Sequence, residues 1–121
     1  MKKMTLWVLP LLLIFGSLAC LAQSTNSGDI RGSVTDSSGA LIPGVTVTVL
    51  DVDTGVAKDF TTNDSGLYDT SSIVTGPYSV TFTKDGFEKL VRGPVTVQVG
   101  FTTVNAQLNV GATSQEVTVT S

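Results

Sequence analysis

Histidine is absent from the 121-residue sequence, and cysteine and tryptophan occur once each. Histidine is the commonest general base and metal ligand at neutral pH, so its absence removes the usual route to acid–base catalysis. The single cysteine, Cys20, lies near the N-terminus in an apolar run. Thiol catalysis and the common zinc sites are therefore excluded for the rest of the chain.

Other catalytic motifs are also missing. No serine stands in a Gly-x-Ser-x-Gly elbow, and no glycine-rich phosphate loop precedes a helical pattern. The segment Asp51-Val52-Asp53-Thr54-Gly55 resembles the start of a calcium loop but lacks the later oxygen ligands and the closing glutamate. We interpret its aspartates as acceptors of backbone N–H groups at a hairpin tip. The sequence thus predicts no enzyme, no metal site and no cofactor.

Positive charge is scarce, with 7 lysine and arginine residues against 10 aspartate and glutamate residues and a formal net charge of −3. Nucleic acid selects proteins with a basic patch, because the phosphates dominate the binding. The balance therefore argues against a nucleic-acid partner. A mildly acidic net charge contributes to solubility but does not indicate what the protein binds.

The longest apolar run, Met4 to Ala19, follows the basic start Lys2-Lys3. Cys20-Leu21-Ala22 has the small-x-small form that a signal peptidase accepts, which predicts a signal peptide over residues 1–22 with cleavage between Ala22 and Gln23. A membrane anchor is the alternative, but a spanning helix needs about 20 apolar residues, and Pro10 and Gly16 interrupt the run. We expect no transmembrane segment in the mature chain.

Lipidation of Cys20 is a second alternative for this segment. Bacterial lipoboxes place a leucine three residues before the cysteine, whereas here that residue is Ser17 and the leucine is Leu18. The mismatch disfavours a lipoprotein without excluding one. After cleavage, residues 23–28 form a polar, flexible lead into the domain.

From Asp29 onward, apolar and polar residues alternate with a period of two, as in Val45-Thr46-Val47-Thr48-Val49 and Tyr78-Ser79-Val80-Thr81-Phe82. This alternation is typical of strands with one buried face. The predicted strands are Ile30–Thr35, Val45–Leu50, Val56–Thr62, Leu67–Thr70, Tyr78–Thr83, Phe87–Arg92 and Val95–Val99, with an eighth over Thr102–Leu108. Phe60, Tyr78, Phe82 and Phe87 are expected to form a central aromatic layer.

Turn residues divide these strands. Asp36-Ser37-Ser38-Gly39 and Asn63-Asp64-Ser65-Gly66 begin with Asp or Asn and end with Gly, as a turn closed by a left-handed residue requires. The residues predicted to set turns and core entry are Gly39, Pro43, Gly44, Asp64, Gly66, Gly76, Tyr78, Gly86 and Phe87.

These blocks together resemble the carboxypeptidase regulatory-like domain. The resemblance rests on Ile30-Arg31-Gly32-Ser33-Val34-Thr35-Asp36, Ile42-Pro43-Gly44-Val45, Thr61-Thr62-Asn63-Asp64-Ser65-Gly66-Leu67-Tyr68, Gly76-Pro77-Tyr78 and Gly86-Phe87. It implies a seven- to eight-stranded antiparallel Greek-key β-sandwich, transthyretin-like and within the carbohydrate-binding-like fold group, over residues 29–110. Gly76-Pro77-Tyr78 departs from the family's usual Leu-Pro-Gly-x-Tyr, although the turn is retained.

The resemblance also implies a context. Such domains are found at the N-terminus of Oar-like TonB-dependent outer-membrane receptors, and residues 111–121 resemble the link to a plug domain. It implies an exported protein of a Gram-negative bacterium, in the periplasm, at the outer membrane or outside the cell. Self-crosslinking, as in the related Cna B-type domain, is not expected, because the first strand carries Arg31 where a lysine is needed.

The function predicted from these features is that of a non-catalytic, exported accessory domain, whose partner is an envelope protein or a glycan. Edge strands could accept a partner strand by β-augmentation. The alternative is a carbohydrate-binding module, for which the candidate contact residues are the aromatics Phe60, Tyr68, Phe87 and Phe101. The aromatics are few for that purpose, and the only tryptophan, Trp7, lies in the predicted leader.

Overall fold

The computed structural model describes residues 26–111 and 116–119. The predicted signal peptide, its Ala22–Gln23 cleavage site and the alternative lipidation of Cys20 lie outside these residues, so they stay predictions. Within the described ranges the backbone forms strands and turns and no α-helix, so none of these residues belongs to a helix that could cross a membrane. The prediction of an all-β sandwich is confirmed.

The described residues form strands in two sheets. In chain order they are β1 (Ser27–Asp36), β2 (Thr46–Asp51), β3 (Ala57–Thr61), β4 (Leu67–Asp69), β5 (Ile73–Val74), β6 (Gly76–Thr83), β7 (Lys89–Val97), β8 (Gly100–Thr103), β9 (Ala106–Leu108) and β10 (Glu116–Val119). In sheet I, β1 is central, with β4 and β5 on one side and β8 and β9 on the other. Sheet II has the order β10-β7-β6-β2-β3.

The sheets are mixed, whereas the resemblance implied antiparallel pairing. β1 runs parallel to β8 and β9, and β7 runs parallel to β10. Parallel neighbours need a long crossover connection, and between β1 and β8 the chain supplies one by building most of sheet II. Alternation of apolar residues indicates which face is buried and not which way a neighbouring strand runs. The parallel pairs were therefore not predictable from the pattern.

Some strand boundaries also differ from the prediction. The predicted strands Phe87–Arg92 and Val95–Val99 form one strand, β7, while β5 and β10 are additional. The predicted strand Thr102–Leu108 is divided into β8 and β9. At the division, Oδ1 of Asn105 accepts the backbone N–H of Ser33 at 2.9 Å, so a side chain takes the place of a backbone ladder partner.

The core lies between the two sheets and follows the period of two seen in the sequence. Its buried apolar members are Ile30, Val34, Ile42, Val45, Val47, Val49, Tyr68, Ile73, Tyr78, Val80, Phe82, Leu90, Val97, Val104, Ala106 and Leu108. Removal of this apolar surface from water is the main stabilising contribution in a domain without a disulfide.

The division of the aromatic residues between the core and its margin differs from the prediction. Tyr78 and Phe82 are buried as predicted, whereas Phe60 and Phe87 lie partly buried at the margin of the core. Tyr68, proposed from the sequence as a sugar contact, is 5% exposed and packs edge-to-face on Phe82, with ring centroids 5.8 Å apart. Burial excludes Tyr68 as a stacking surface for any ligand.

Candidate functional site

The predicted turn glycines share one property, a positive φ that disfavours other residues. The values are 88° at Gly39, 73° at Gly44, 70° at Gly66, 142° at Gly76 and 86° at Gly86. At Gly66 the space is also restricted, because an added Cβ would lie 2.8 Å from Cβ of Leu41. These positions, with the exposed Pro43, are spread along the chain and form no common site.

The turn before β4 is closed by Asn63 and not by Asp64. Oδ1 of Asn63 accepts the backbone N–H groups of Ser65 at 2.9 Å and Leu67 at 3.1 Å, and its C=O accepts the N–H of Gly66. The side chain of Asp64 is exposed and makes no hydrogen bond with the described residues. The role predicted for Asp64 therefore belongs to the preceding residue, whose amide also reaches Leu67.

Two aromatic residues predicted at strand entries differ in their roles. The hydroxyl of Tyr78 donates to the C=O of Val74 at 2.6 Å and so links sheet II to β5 of sheet I. Burial raises the pKa of Tyr78, and the negative charge of Asp51 raises it further. Phe87 forms an isolated bridge with Val110 at the margin of the core.

Of the two aspartates of the β2–β3 hairpin, Asp51 acts as predicted, whereas the carboxylate of Asp53 accepts no backbone N–H within the described residues. Oδ1 of Asp51 accepts the backbone N–H groups of Asp53 at 3.0 Å and Thr54 at 3.3 Å. Over residues 26–111 and 116–119, no three acidic residues come together in a group that could hold a metal ion. The loop is a structural turn.

The outer face of sheet I carries charged, aromatic, hydroxyl and amide side chains. β1 lies between β4 and β8 there, with Arg31 opposite Asp69 on one side and Thr103 on the other. We call this surface the Arg31 face; it consists of Asp29, Arg31, Ser33, Asn63, Leu67, Asp69, Phe101, Thr103 and Asn105. Most of these residues line an open concavity of about 610 Å³.

Arg31 is held in place by two carboxylates. Its guanidinium lies 3.2 Å from Asp29 and 3.1 Å from Asp69. The guanidinium carbon also lies 4.9 Å from the ring centroid of Phe101, within range of a cation–π contact. Phe101 is nevertheless 65% exposed. The cluster therefore presents a fixed aromatic ring beside a neutralised cation.

Two amide side chains on the Arg31 face have their oxygens occupied. Oδ1 of Asn105 accepts both the N–H and the hydroxyl of Ser33, at 2.9 and 3.3 Å. Oδ1 of Asn63 is occupied by the N–H groups of its turn. The amide NH₂ groups of both residues donate to nothing in the described part of the chain. Since these bonds fix the orientation of each amide, both donors are available.

A second feature is the free edge of β3. In the described chain β3 pairs only with β2, and the antiparallel register places Lys58 opposite Val49 and Phe60 opposite Val47. The N–H of Asp51 donates to the C=O of Val56 in the same register. Because hydrogen-bonded pairs alternate along an antiparallel ladder, the N–H and C=O groups of Ala57, Asp59 and Thr61 point away from β2.

An apolar cleft opens beside this edge, between sheet II and β5. It has a volume of about 260 Å³ and is lined by Val49, Asp51, Thr54, Val56, Lys58, Phe60, Ile73, Val74 and Tyr78. Val56 and Val74 are 56% and 63% exposed at its mouth. Lys58 makes no ion pair or hydrogen bond with the described residues. We call this feature the β3 cleft.

Sequence reasoning found only parts of these features. Phe101 is one of four aromatic candidates from the sequence, whereas Arg31 stands out there only in the first motif block of the resemblance and as the residue in place of a lysine. Asn105 carried no signal, because its role depends on the parallel pairing of β1 with the C-terminal strands. The alternation around Val56 and Phe60 indicated a strand but not that its outer edge is free.

Comparison with known proteins gives a family and a fold. The profile described as "Carboxypeptidase regulatory-like domain" matches residues 29–109. No curated protein sequence matches the chain. Among solved structures, the Bacillus anthracis TIE protein superimposes with a TM-score of 0.60 at 15% identity, over 70% of this chain and 17% of that one.

Two further structures share the fold. A putative carbohydrate binding protein from Bacteroides uniformis has a TM-score of 0.57 and 20% identity, over 67% of this chain and 40% of that one. A 3-chlorocatechol 1,2-dioxygenase from Rhodococcus opacus has a TM-score of 0.56 and 11% identity, over 74% and 62%. This chain spans less than two thirds of each of these proteins, and at such identities the likeness concerns the fold alone.

Proposed function

The chain belongs to the carboxypeptidase regulatory-like domain family, and from this premise we propose that it is an exported, non-catalytic accessory domain that binds an extended segment of an envelope protein. The family is one of regulatory β-sandwich domains. The sequence outside the predicted leader contains neither histidine nor cysteine, which supports a role in binding. In the TonB-dependent receptor context implied by the resemblance, the domain works at the periplasmic side of the outer membrane or outside it.

The observation that carries the proposal is the free edge of β3 beside an apolar cleft. A partner strand added to this edge hydrogen-bonds with Ala57, Asp59 and Thr61. Alternate side chains of that strand then face the interior of the sandwich, as those of Val56 and Phe60 do. Main-chain bonds supply affinity, and the cleft selects the apolar side chains that enter it.

Lys58 determines which strands fit. An inward-pointing charge on an edge strand discourages indiscriminate pairing, and Lys58 lies on the cleft side of β3 without a partner among the described residues. A segment with an acidic residue opposite Lys58 gains a charge-assisted bond, whereas a wholly apolar strand leaves the ammonium group desolvated. The proposed partner segment is therefore apolar at alternate positions and acidic at one of them.

A proline substitution tests this proposal. The N–H of Ala57 points away from β2, so Ala57→Pro removes no bond from the fold, but it removes a donor that an added strand needs. Ala57→Thr is the matched control, because it keeps the N–H and suits a strand. Tagged full-length chain, expressed with its N-terminal segment in a Gram-negative host, is recovered from envelope extract with its partners, which quantitative mass spectrometry identifies.

We expect wild type and Ala57→Thr to recover the same envelope protein and Ala57→Pro to recover at least tenfold less, with an unchanged melting temperature. Equal recovery by the proline variant would overturn the edge as the binding site. The mass of the recovered chain tests export in the same experiment. A chain starting at Gln23 or at a lipidated Cys20 agrees with export, whereas retention of residues 1–22 contradicts the predicted signal cleavage.

A further inference from the structure

The Arg31 face lies on the outer surface of sheet I and has its own chemistry. Thr61 at the end of the β3 edge lines its concavity, but the concavity and the β3 cleft share no lining residue. We propose that it is a binding site for a neutral oligosaccharide, in which Phe101 stacks on a sugar ring and the amides of Asn63 and Asn105 donate hydrogen bonds to sugar oxygens. This site goes beyond the proposed function, because it requires neither the free edge nor a protein partner.

The first argument is the presentation of Phe101. A large aromatic side chain is normally buried or packed against neighbours, and here it is 65% exposed on a strand surface. Arg31 contacts one face of the ring and is itself fixed by Asp29 and Asp69. The opposite face is thus presented in a set orientation, so little conformational entropy is lost when a ligand stacks on it.

The second argument concerns charge. The guanidinium of Arg31 is already paired with two carboxylates, which leaves no unsatisfied cation to attract an anionic ligand. The three side chains carry a net charge of −1, but Arg31 already occupies the cation–π position on one face of Phe101, so a cationic ligand cannot use the ring from that side. An uncharged molecule with one apolar C–H surface fits this aromatic ring best, and a pyranose ring has such a surface.

The third argument concerns hydrogen bonds. Asn63 and Asn105 line the same concavity as Phe101, and each has its oxygen occupied and its NH₂ group without a partner in the described chain. Sugar hydroxyl and ring oxygens accept from such donors. Leu67 lies opposite Ser33 while Phe101 lies opposite Asp29, so the face extends about 13 Å along β1. That length and the open shape suit a chain of sugars better than a single one.

Binding of defined polysaccharides by the full-length chain, purified after export, tests the proposal. Affinity electrophoresis is run in gels containing cellulose derivatives, xylan, laminarin, mannan or starch, with alginate as a charged comparison. Three variants are compared with wild type. Phe101→Ala removes the stacking ring; Asn105→Asp keeps both acceptor bonds to Ser33 but replaces the NH₂ donor; Ala57→Pro alters only the β3 edge.

We expect retardation by at least one neutral polysaccharide, weakened about tenfold by Phe101→Ala and several-fold by Asn105→Asp, and unchanged in Ala57→Pro. Circular dichroism melting shows that each variant is folded. Three results would overturn the site: no retardation by any neutral polysaccharide, retardation by alginate alone, or binding that is indifferent to both face variants. None of these results bears on the protein partner at β3, so the two proposals fail separately.

Discussion

The outer faces of the two sheets contrast strongly in what they expose. On sheet II the central strands present Thr46, Thr48, Thr81 and Thr83, which pair with one another across β2 and β6, and Ser79, which lies opposite Leu50. On sheet I the corresponding surface of β1, β4 and β8 presents Asp29, Arg31, Asp69 and Phe101. Both sheets bury an apolar inner face, so the difference does not come from the needs of the core.

The contrast shows where the sequence contains residues that β-strands disfavour. Threonine favours a pleated, half-buried surface, so the threonine pairs of β2 and β6 satisfy strand propensity. Aspartate, asparagine and glycine are depleted in strands, yet β1 contains Asp29 and Gly32 and Asn105 interrupts its neighbour. Departures from local preference cluster at functional surfaces; on sheet I they surround Arg31, whereas on sheet II they lie outside the paired threonines, as at Gly93-Pro94 in β7.

The largest expected effect comes from closing the space beneath the Arg31 face. A Cβ on Gly32 would lie 1.9 Å from the C=O oxygen of Val104, so Gly32→Ala forces the segment between β8 and β9 away from β1. That movement breaks the bond from the N–H of Val104 to the C=O of Arg31. We expect the free energy of unfolding in urea to fall by about 3 kcal/mol or more.

The matched change on sheet II is Thr81→Ala, at a half-buried position in the middle of β6. It is expected to cost under about 1 kcal/mol, since it removes only a cross-strand contact. If the two substitutions cost the same, the close approach of strands at Gly32 is not a special feature of sheet I, and the comparison between the sheets loses its structural basis.

The next effect concerns the two buried tyrosines, one from each sheet. Burial raises the pKa of Tyr68 well above its usual value, with a small opposing contribution from Arg92, and burial also raises the pKa of Tyr78. The folded state then holds each phenolic proton more tightly than the unfolded state. The resulting stability is fully present below pH 10, about the unfolded pKa, and is lost as pH rises from there towards the folded pKa.

Tyr68→Phe should therefore lower stability by about 1 kcal/mol at pH 7, through loss of the bond to the C=O of Val104. It should also flatten the decline in melting temperature above pH 10. Tyr78→Phe is expected to flatten it less, because its hydrogen bond is only partly buried. An identical alkaline decline in wild type and Tyr68→Phe would show that Tyr68 ionises as readily in the folded chain as in the unfolded one.

The sequence predicted the strands of sheet II better than the surface of sheet I. The alternation in β2 and β6 gave the strands and inward residues of sheet II, because one face of each strand is buried and the other is wet. The turn glycines were recognisable because a left-handed backbone favours glycine. Such features depend on neighbours along the chain, and local sequence is sufficient for them.

The Arg31 face depends on strands that are distant in sequence. Phe101 reaches Arg31 only because β8 runs parallel to β1, and the order of apolar residues does not encode that direction. The amide of Asn105 obtains its role from Ser33, more than 70 residues earlier. The free edge of β3 likewise depends on which strand is absent beside it. The alternation of apolar and polar residues along the chain does not indicate which strands pair.

A smaller effect is expected from the charge cluster itself. Side chains of Arg31 and Asp69 are about half exposed, so water screens their attraction and an exposed ion pair contributes about 0–1 kcal/mol. Arg31→Met keeps most of the side-chain length and removes the charge. We expect the melting temperature to change by only a few degrees, with the difference from wild type shrinking in 0.5 M salt.

Arg31→Met should affect ligand binding more than stability, because the loss frees the ring of Phe101 and leaves Asp29 and Asp69 unpaired on the face. Affinity electrophoresis beside the melting curves measures both quantities on one sample. A large loss of stability with unchanged saccharide binding would reverse the assignment and make the cluster a structural element of sheet I.

The smallest effect is expected from Thr81→Val on sheet II. Valine has nearly the shape of threonine and a comparable preference for strands, and the hydroxyl of Thr81 makes no hydrogen bond with the described residues. Stability in urea should change by less than about 0.5 kcal/mol, and saccharide retardation and partner recovery should both equal wild type. Because this surface lies on the opposite side of the sandwich from the Arg31 face and faces away from the β3 cleft, a weakened binding of either kind would mean that recognition extends over the outer face of sheet II. The contrast between a binding face and a plain threonine face would then have to be abandoned.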